Sequence, residues 1–280
     1  TFAAYLKRIS LSYEVICGDF IEEAVNRIQF SNGGGFTHAI MNPPYKKISS
    51  DSRHRLLLRQ VGIETVNLYS AFVALTLLLM APGGYIVAII PRSFCNGPYY
   101  RPFRNMLLEL SAIRHIHLFE SRNTAFKDDG VLQENVIVLL ERGGKRGEVH
   151  VTTSTDDRFS NFAVHVHPFE RIVLPGDREN FIHIPTSSDL STIQLSAATR
   201  YTLDDLGIKV STGPVVDFRL KEYLRNMPGA DTAPLLYPGH FDRQGIVWPI
   251  EGMKKPNAIQ RNSETEKWLY PNGYYSLVAK

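Results

Sequence analysis

Apolar and polar positions change period several times along the first half of the chain, and those changes predict its elements. Phe2, Ala3, Leu6 and Ile9 recur at helical spacing. The β-rich run Tyr13-Glu14-Val15-Ile16-Cys17 predicts a strand ending in Gly18-Asp19-Phe20, where a polar residue at a strand end faces a cleft. A helix is expected near 21–29, a loop at Ser31-Asn32-Gly33-Gly34-Gly35, and a second strand at Thr37-His38-Ala39-Ile40-Met41. That strand runs straight into Asn42-Pro43-Pro44-Tyr45. An apolar helix over about 67–81 is stopped by Pro82-Gly83-Gly84, and the unbroken apolar run Tyr85 to Ile90 has the texture of a buried strand. A helix at about 100–111, strands at 113–119 and 135–141, and a loop at 120–134 complete the series. Strand alternating with helix predicts an α/β fold on a parallel sheet.

Past Gly143-Gly144-Lys145 the texture changes. Glu148-Val149-His150-Val151 and Ala163-Val164-His165-Val166-His167 alternate in the β manner, helical periodicity fades, and Pro and aromatic residues become frequent. A boundary in 142–147 is expected, dividing residues 1–145 from an α+β region, 146–280. Pro238-Gly239-His240-Phe241 and Trp248-Pro249 predict rigid aromatic loops, suited equally to packing and to groove contact.

Composition narrows the class. With 280 residues, 44% hydrophobic and 21% charged, the chain has the makings of a sizeable core and is neither disordered nor collagen-like. Cys17 and Cys95, each beside an apolar run, are expected as reduced, buried thiols of a cytoplasmic protein. The longest apolar run, Ala71 to Met80, is well short of the ~20 residues that span a bilayer. Thr1 opens no charged-then-apolar leader. The formal charge of +3 admits a nucleic-acid partner without requiring one. Basic residues such as Arg92, Arg101, Arg104, Lys209 and Arg261 are spread over both regions, as solvated surface or as the lining of a phosphate-tracking cleft. His115, His117, His165 and His167 alternate along strands without a carboxylate or thiol at ligand spacing, so no metal site is expected.

The chemistry concentrates in Asn42-Pro43-Pro44-Tyr45. Two prolines fix their φ angles and carry no N–H, so the turn presents carbonyl oxygens without competing donors. Such a loop suits an amino group on an aromatic or amide system, whose delocalised lone pair makes it a poor nucleophile. The Asn42 side-chain oxygen and the Pro43 carbonyl can hold both amino hydrogens and favour the pyramidal, attacking form, while Tyr45 stacks on the ring. Asp19 has a plainer reading as the cap of the helix that follows it, and Phe72 one as a core residue.

In these residues the chain resembles the gamma-type N6-adenine DNA methyltransferases of restriction-modification systems, the TaqI enzyme and its larger single-chain relatives. Four features match in order: Gly18-Asp19-Phe20 at a strand end; Asn42-Pro43-Pro44-Tyr45; Asn67-Leu68-Tyr69-Ser70-Ala71-Phe72 opening a helix that ends at Pro82-Gly83-Gly84; and Ile89-Ile90-Pro91 closing the next strand. The resemblance implies a partial Rossmann-like S-adenosylmethionine-dependent methyltransferase sheet followed by an α+β target-recognition region. It implies that Asp19 contacts the adenine amino group of S-adenosylmethionine, with Phe20 and Phe72 around that ring and Asn42 beside it. It further implies Asn42, Pro43, Pro44 and Tyr45 as the methyl-transfer site, and Phe126 as a second wall for a flipped adenine. Asp204 to Gly213 is similar to the segment that begins target recognition in the larger relatives.

The family's Gly-containing cofactor loop and the acidic strand end after it do not fit in the 18 residues before Asp19. Gly33-Gly34-Gly35 is no substitute, since it precedes a strand instead of opening a helix. The cofactor site is therefore expected to be incomplete in this chain, whose partners would be double-stranded DNA and an N-terminal segment or nuclease domain of the same parent, in a prokaryotic cytoplasm, with no membrane. Two other functions share the loop: a protein glutamine N5-methyltransferase, whose motif lies late in its chain where here 235 residues follow Tyr45, and an inert DNA-binding specificity module.

Overall fold

A helix with no polar face has to be buried on every side, and Leu68–Leu79 is such a helix, with nine of its twelve residues buried. The computed structural model of the chain, which describes residues 12–30, 35–119, 134–156, 158–187, 201, 203, 205–242, 245–271 and 273–277, divides into two compact units after Ala197. In chain order the first contains α1 (Phe20–Phe30), β1 (Phe36–Met41), α2 (Arg53–Gln60), α3 (Leu68–Leu79), β2 (Met80–Pro91), α4 (Arg101–Leu110), β3 (Ser111–Phe119), β4 (Asn135–Arg142), β5 (Glu148–Ser154), β6 (Ala163–Pro168) and α5 (Phe169–Ile172). The apolar segment 2–9 lies outside the described residues.

The six strands form one sheet in the order β1-β2-β4-β3-β5-β6. β1, β2, β3 and β5 point one way, while β4 and β6 run against their neighbours. The sheet is thus mixed, which corrects the all-parallel expectation. A parallel neighbour needs a crossover, usually a helix. Helical segments stand between β1 and β2 and between β2 and β3, but neither 120–134 nor 155–162 carries a helical pattern, so the chain turns back there. Because β5 and β6 extend this sheet, the division falls after Ala197 and not at 145.

Alternation splits the sheet into two faces. Ile86, Ala88, Ile90, Ile116, Val136, Val138, Leu140, Val149 and Val151 form one, buried in a single core with α1, α3 and α4. On the other face Tyr85 is 39% exposed. Two boundary details follow from local chemistry. α3 ends at Leu79, before the expected position, because Pro82 disfavours helical backbone at Ala81; β2 starts at Met80, and the register against β1 jumps from Phe36↔Met80 to His38↔Tyr85. Gly84 belongs in that irregularity for want of space: a Cβ there would stand 3.0 Å from the Thr37 carbonyl and 2.8 Å from Met80 Cε.

The expected strand Tyr13–Cys17 has no regular structure, and Cys17 is exposed, not buried. Among the described residues it has no strand to pair with, and β1 itself is bonded on one side only, leaving Ile40 88% exposed. Cys95 is buried as expected, and burial pushes its thiol up to about 12.

Arg104 is neither surface nor cleft but fully buried. Its guanidinium donates to the Phe94 and Gly97 carbonyls at 3.0 and 2.8 Å, and from Nε and Nη2 to the Glu179 carbonyl at 3.0 and 2.9 Å. It packs on the Phe181 ring, so one side chain joins α4, the turn after β2, and the segment near 180.

The second unit contains β7 (Leu224–Arg225), β8 (Thr232–Pro234), β9 (Phe241–Asp242), β10 (Gly245–Ile246) and β11 (Ala258–Gln260), in a three-stranded sheet β7-β11-β8 and a hairpin β9-β10. Its centre is polar. Asn257, 1% exposed, donates to the Asn226 and Ile250 carbonyls and accepts from the Ile250 amide and His240 Nε2. The Tyr237 amide donates to His240 Nδ1, so the ring proton sits on Nε2. With Trp248 Nε1 donating to the Asn257 carbonyl at 2.6 Å, both aromatic loops serve packing.

Replacing Arg104 by Met roughly preserves volume and removes every donor, taking a partner from the buried Phe94 carbonyl and from the partly buried Gly97 and Glu179 carbonyls. Arg104→Met is expected to lower unfolding free energy by about 3 kcal/mol or more, read from the urea midpoint; a loss below about 1 kcal/mol would mean that packing alone holds the turn.

Candidate active site

The four co-directional strands end on one edge of the sheet, at Met41, Pro91, Phe119 and Ser154. Crevices outside the carboxyl ends of such strands are where α/β sheets bind ligands. Asn42-Pro43-Pro44-Tyr45 leaves β1 at this edge, with Pro43 buried, Asn42 and Pro44 exposed and Tyr45 half-buried. The Tyr45 hydroxyl lies 3.1 Å from both Asn42 Oδ1 and the Ile89 carbonyl, its one proton shared between them. The loop is thereby tied back to β2, the neighbouring strand. Asn42 Oδ1 keeps a second lone pair for another donor.

α3 supplies the floor. Leu68 N donates to the Lys46 carbonyl at 2.8 Å, Ile48 N donates to the Val66 carbonyl at 2.9 Å, and Lys47 bridges to Asn67. Tyr45 meets Tyr69 edge-on at 6.2 Å, and Tyr69 in turn lies 5.6 Å from Tyr100 with its hydroxyl 3.1 Å from Ser93 Oγ. Burial drives the Tyr69 hydroxyl pKa far up, so it stays a neutral phenol. The side-chain oxygen of Asn67, at the start of α3, is buried without a hydrogen-bond partner among the described residues.

Three positions beyond Tyr69, on the same side of α3, Phe72 packs against Phe20 with ring centroids 4.6 Å apart and planes tilted by 35°. That spacing leaves no room for a third ring between them, so a bound adenine would lie against an outer face of the pair. Asp19 stands beside Phe20. Its Oδ1 accepts from the Ile21 and Glu22 amides at 2.9 and 3.1 Å, which is the helix-capping role, and its Oδ2 lies 2.8 Å from His54 Nε2. Burial raises the Asp19 pKa, but the Glu22 amide, His54 and the Ile21 amide together outweigh it and hold the carboxyl below its ordinary 3.8. As an anion it is acceptor-only, so His54 Nε2–H donates.

The structure therefore brings Asp19, Phe20 and Phe72 together, joins them through one turn of α3 to Asn42, Pro43 and Tyr45, and adds His54, which no sequence pattern singles out. Phe126 lies outside the described residues. The strand histidines are engaged away from this cluster: His115 and His117 with Thr152, at 2.7 and 2.8 Å, and His167 with the Pro185 carbonyl. Among the described residues no three His, Cys, Asp or Glu converge as a metal site, and no helix is long and apolar enough to cross a membrane.

Residues 12–126 match the model of the Eco57I restriction-modification methylases. Over those residues the chain is similar to this family. Along its whole length it is 55% identical to the Type II methyltransferase M.BsuBI of Bacillus subtilis, of which it covers 57%, and over 97% of its length 43% identical to the Type II methyltransferase M.PstI of Providencia stuartii, of which it covers 54%. It thus spans little more than half the length of these methylases. A solved structure of a type I restriction-modification system is similar over 66% of this chain and 45% of its own, with 12% identity and a TM-score of 0.47. Every element of the candidate site described above falls within the matched residues.

An acid whose pKa is lowered in the fold stabilises it fully above the unfolded pKa, and loses that contribution as pH falls through the folded value. The stability gap between the wild-type chain and Asp19→Asn, measured by thermal melting, is therefore expected to persist down to about pH 4 and to close below it. A gap that widens on acidification would contradict the assignment of Asp19 as a hydrogen-bonded anion.

Proposed function

We propose that these residues form the base-holding and cofactor-adenine portion of a restriction-modification DNA methyltransferase that methylates adenine at N6. The observation that carries this reading is the acceptor loop at the end of β1, fixed to β2 by Tyr45 and joined through α3 to the Asp19–Phe20–Phe72 cluster. A carboxylate beside a pair of aromatic rings suits an adenine ring bearing an amino group, so the residues fit the adenosine end of S-adenosylmethionine. When bound, that cofactor supplies an electrophilic methyl group on a sulfonium.

The protein's part is orientation. An adenine within a duplex cannot reach the loop, so the base is rotated out of the stack and laid against Tyr45, with Phe126 as the second wall. Asn42 Oδ1 and the Pro43 carbonyl each accept one N6 hydrogen, which draws the nitrogen out of conjugation and turns its lone pair towards the methyl group. No side chain attacks, and no covalent enzyme intermediate forms. Residues 146–280 begin target recognition in this reading. The cofactor's methionine end is held by residues outside this chain, a reading supported by its covering just over half of its relatives.

The test is transfer of a labelled methyl group from S-adenosylmethionine to unmodified double-stranded DNA, by this chain and by a version extended at its N-terminus to the length of the relatives. N6-methyladenine from the extended protein is the expected product. Label in a protein glutamine and none in DNA would transfer the chemistry to the glutamine N5 reaction, and no transfer to either would leave a DNA-binding specificity module. In the extended protein, Asn42→Ala is expected to retain DNA affinity and lose methylation by a factor of ~100 or more, the effect of removing a hydrogen-bond partner at the reacting atom. Full activity in that variant would remove the acceptor-loop mechanism.

A further inference from the structure

His54 has no place in the mechanism above, yet it makes a directed contact with the carboxylate on which cofactor recognition depends. Asp19 Oδ1 is occupied by two backbone amides, while Oδ2 receives His54 Nε2 at 2.8 Å. A carboxylate offers about four lone-pair positions; three are in use, and the fourth is on Oδ2. Asp19 and His54 are 39% and 35% exposed, so the pair is open to an incoming ligand.

The type of donor matters. A guanidinium at this position would engage carboxylate oxygens through a fork of parallel donors and leave little acceptor capacity. A single imidazole N–H takes one lone pair of Oδ2. Rotation about the Cβ–Cγ bond carries both carboxylate oxygens together, so the imidazole on Oδ2 and the two amides on Oδ1 jointly hold the carboxylate in one orientation.

We propose that His54 is a positioning residue that aims Asp19 Oδ2, so that its remaining lone pair meets the exocyclic amino group of the cofactor's adenine. This rests on the assignment of Asp19 to that amino group. His54 thereby acts on cofactor selectivity, adenine over a ring with a carbonyl oxygen in place of the amino group, and not on the methyl transfer itself. A hypoxanthine ring would set its own oxygen against the Asp19 carboxylate and bind more weakly, with no hydrogen bond there for His54 to aim.

The contact is not what holds α2 against α1. Arg53 pairs with Glu22 at 3.0 Å and Gln29 donates to Gln60 at 3.3 Å on either side of it, Leu58 is fully buried, and Ser52 caps α2 by accepting from the Arg55 amide at 3.3 Å. A His54 variant therefore keeps α2 in place.

The experiment is calorimetric titration of the full-length methyltransferase with S-adenosylhomocysteine and with its hypoxanthine counterpart, for the wild type, His54→Ala, His54→Gln and Asp19→Ala. His54→Ala is expected to bind the adenine ligand about tenfold more weakly, as for loss of part of a charge-assisted hydrogen bond, with the hypoxanthine ligand nearly unaffected. The preference for adenine then narrows by about that factor. His54→Gln, whose amide restores an N–H donor, recovers most of the preference. Equal weakening of both ligands, or no change in either, overturns the proposal, because a purely structural role cannot distinguish them. If Asp19→Ala also leaves the preference intact, or the wild type binds neither ligand, the cofactor assignment itself fails. If Asp19→Ala abolishes the preference and His54→Ala does not, only the role of His54 falls.

Discussion

The parallel pairing of β1 with β2, which sets Met41 opposite Ala88, decides where the acceptor loop can stand. With that register the chain leaves β1 at the edge where β2 also ends, so the Tyr45 hydroxyl can reach back to the Ile89 carbonyl while touching Asn42 Oδ1. A parallel pair in turn requires a crossover, and α2 and α3 provide it. The same crossover brings Tyr69 under Tyr45 and Phe72 beside Phe20. One topological requirement thus places the acceptor loop and the Asp19–Phe20–Phe72 cluster beside neighbouring turns of a single buried helix.

What makes the loop chemically useful is the imbalance of its hydrogen-bonding groups. Two prolines remove donors, Asn42 and Pro43 supply acceptors, and the one nearby hydroxyl is spent on positioning. An amino group entering such a loop finds partners for its hydrogens and nothing that competes for its lone pair. Asp19 shows the same economy: one oxygen caps the helix and the other meets His54 with a lone pair to spare, so the capping role and the proposed recognition role are compatible in one carboxylate.

The sequence was informative where local pattern and chemistry coincide. Asn42-Pro43-Pro44-Tyr45 following an apolar strand was legible because proline geometry and acceptor placement are local properties, and α3 was legible because an unbroken apolar run bounded by Pro82-Gly83-Gly84 admits few alternatives. Strand direction was not, since a strand run reads the same whether β4 returns antiparallel or crosses over; only the absence of a helical pattern in the sequence of 120–134 pointed to the return. Tyr13–Cys17 has strand composition, but a strand also needs a neighbour, which composition does not report. The boundary placed at 142–147 mistook the switch from helix-rich to hairpin-rich texture for the end of a domain. Arg104 and His54 were invisible for a related reason. Their partners, the Glu179 carbonyl and Asp19, lie 75 and 35 residues away, and nothing in the spacing of charges announces such a contact.

The central claim is that Asn42 and Pro43 hold the amino group of an extruded adenine while Tyr45 lies against its ring. The most direct measurement is a crystal structure of the full-length protein with S-adenosylhomocysteine and duplex DNA containing its methylation site. The expected result is an adenine turned out of the duplex, with N6 within hydrogen-bonding distance of both Asn42 Oδ1 and the Pro43 carbonyl. An adenine still stacked in the duplex, or one bound with its amino group directed away from those two oxygens, would contradict it.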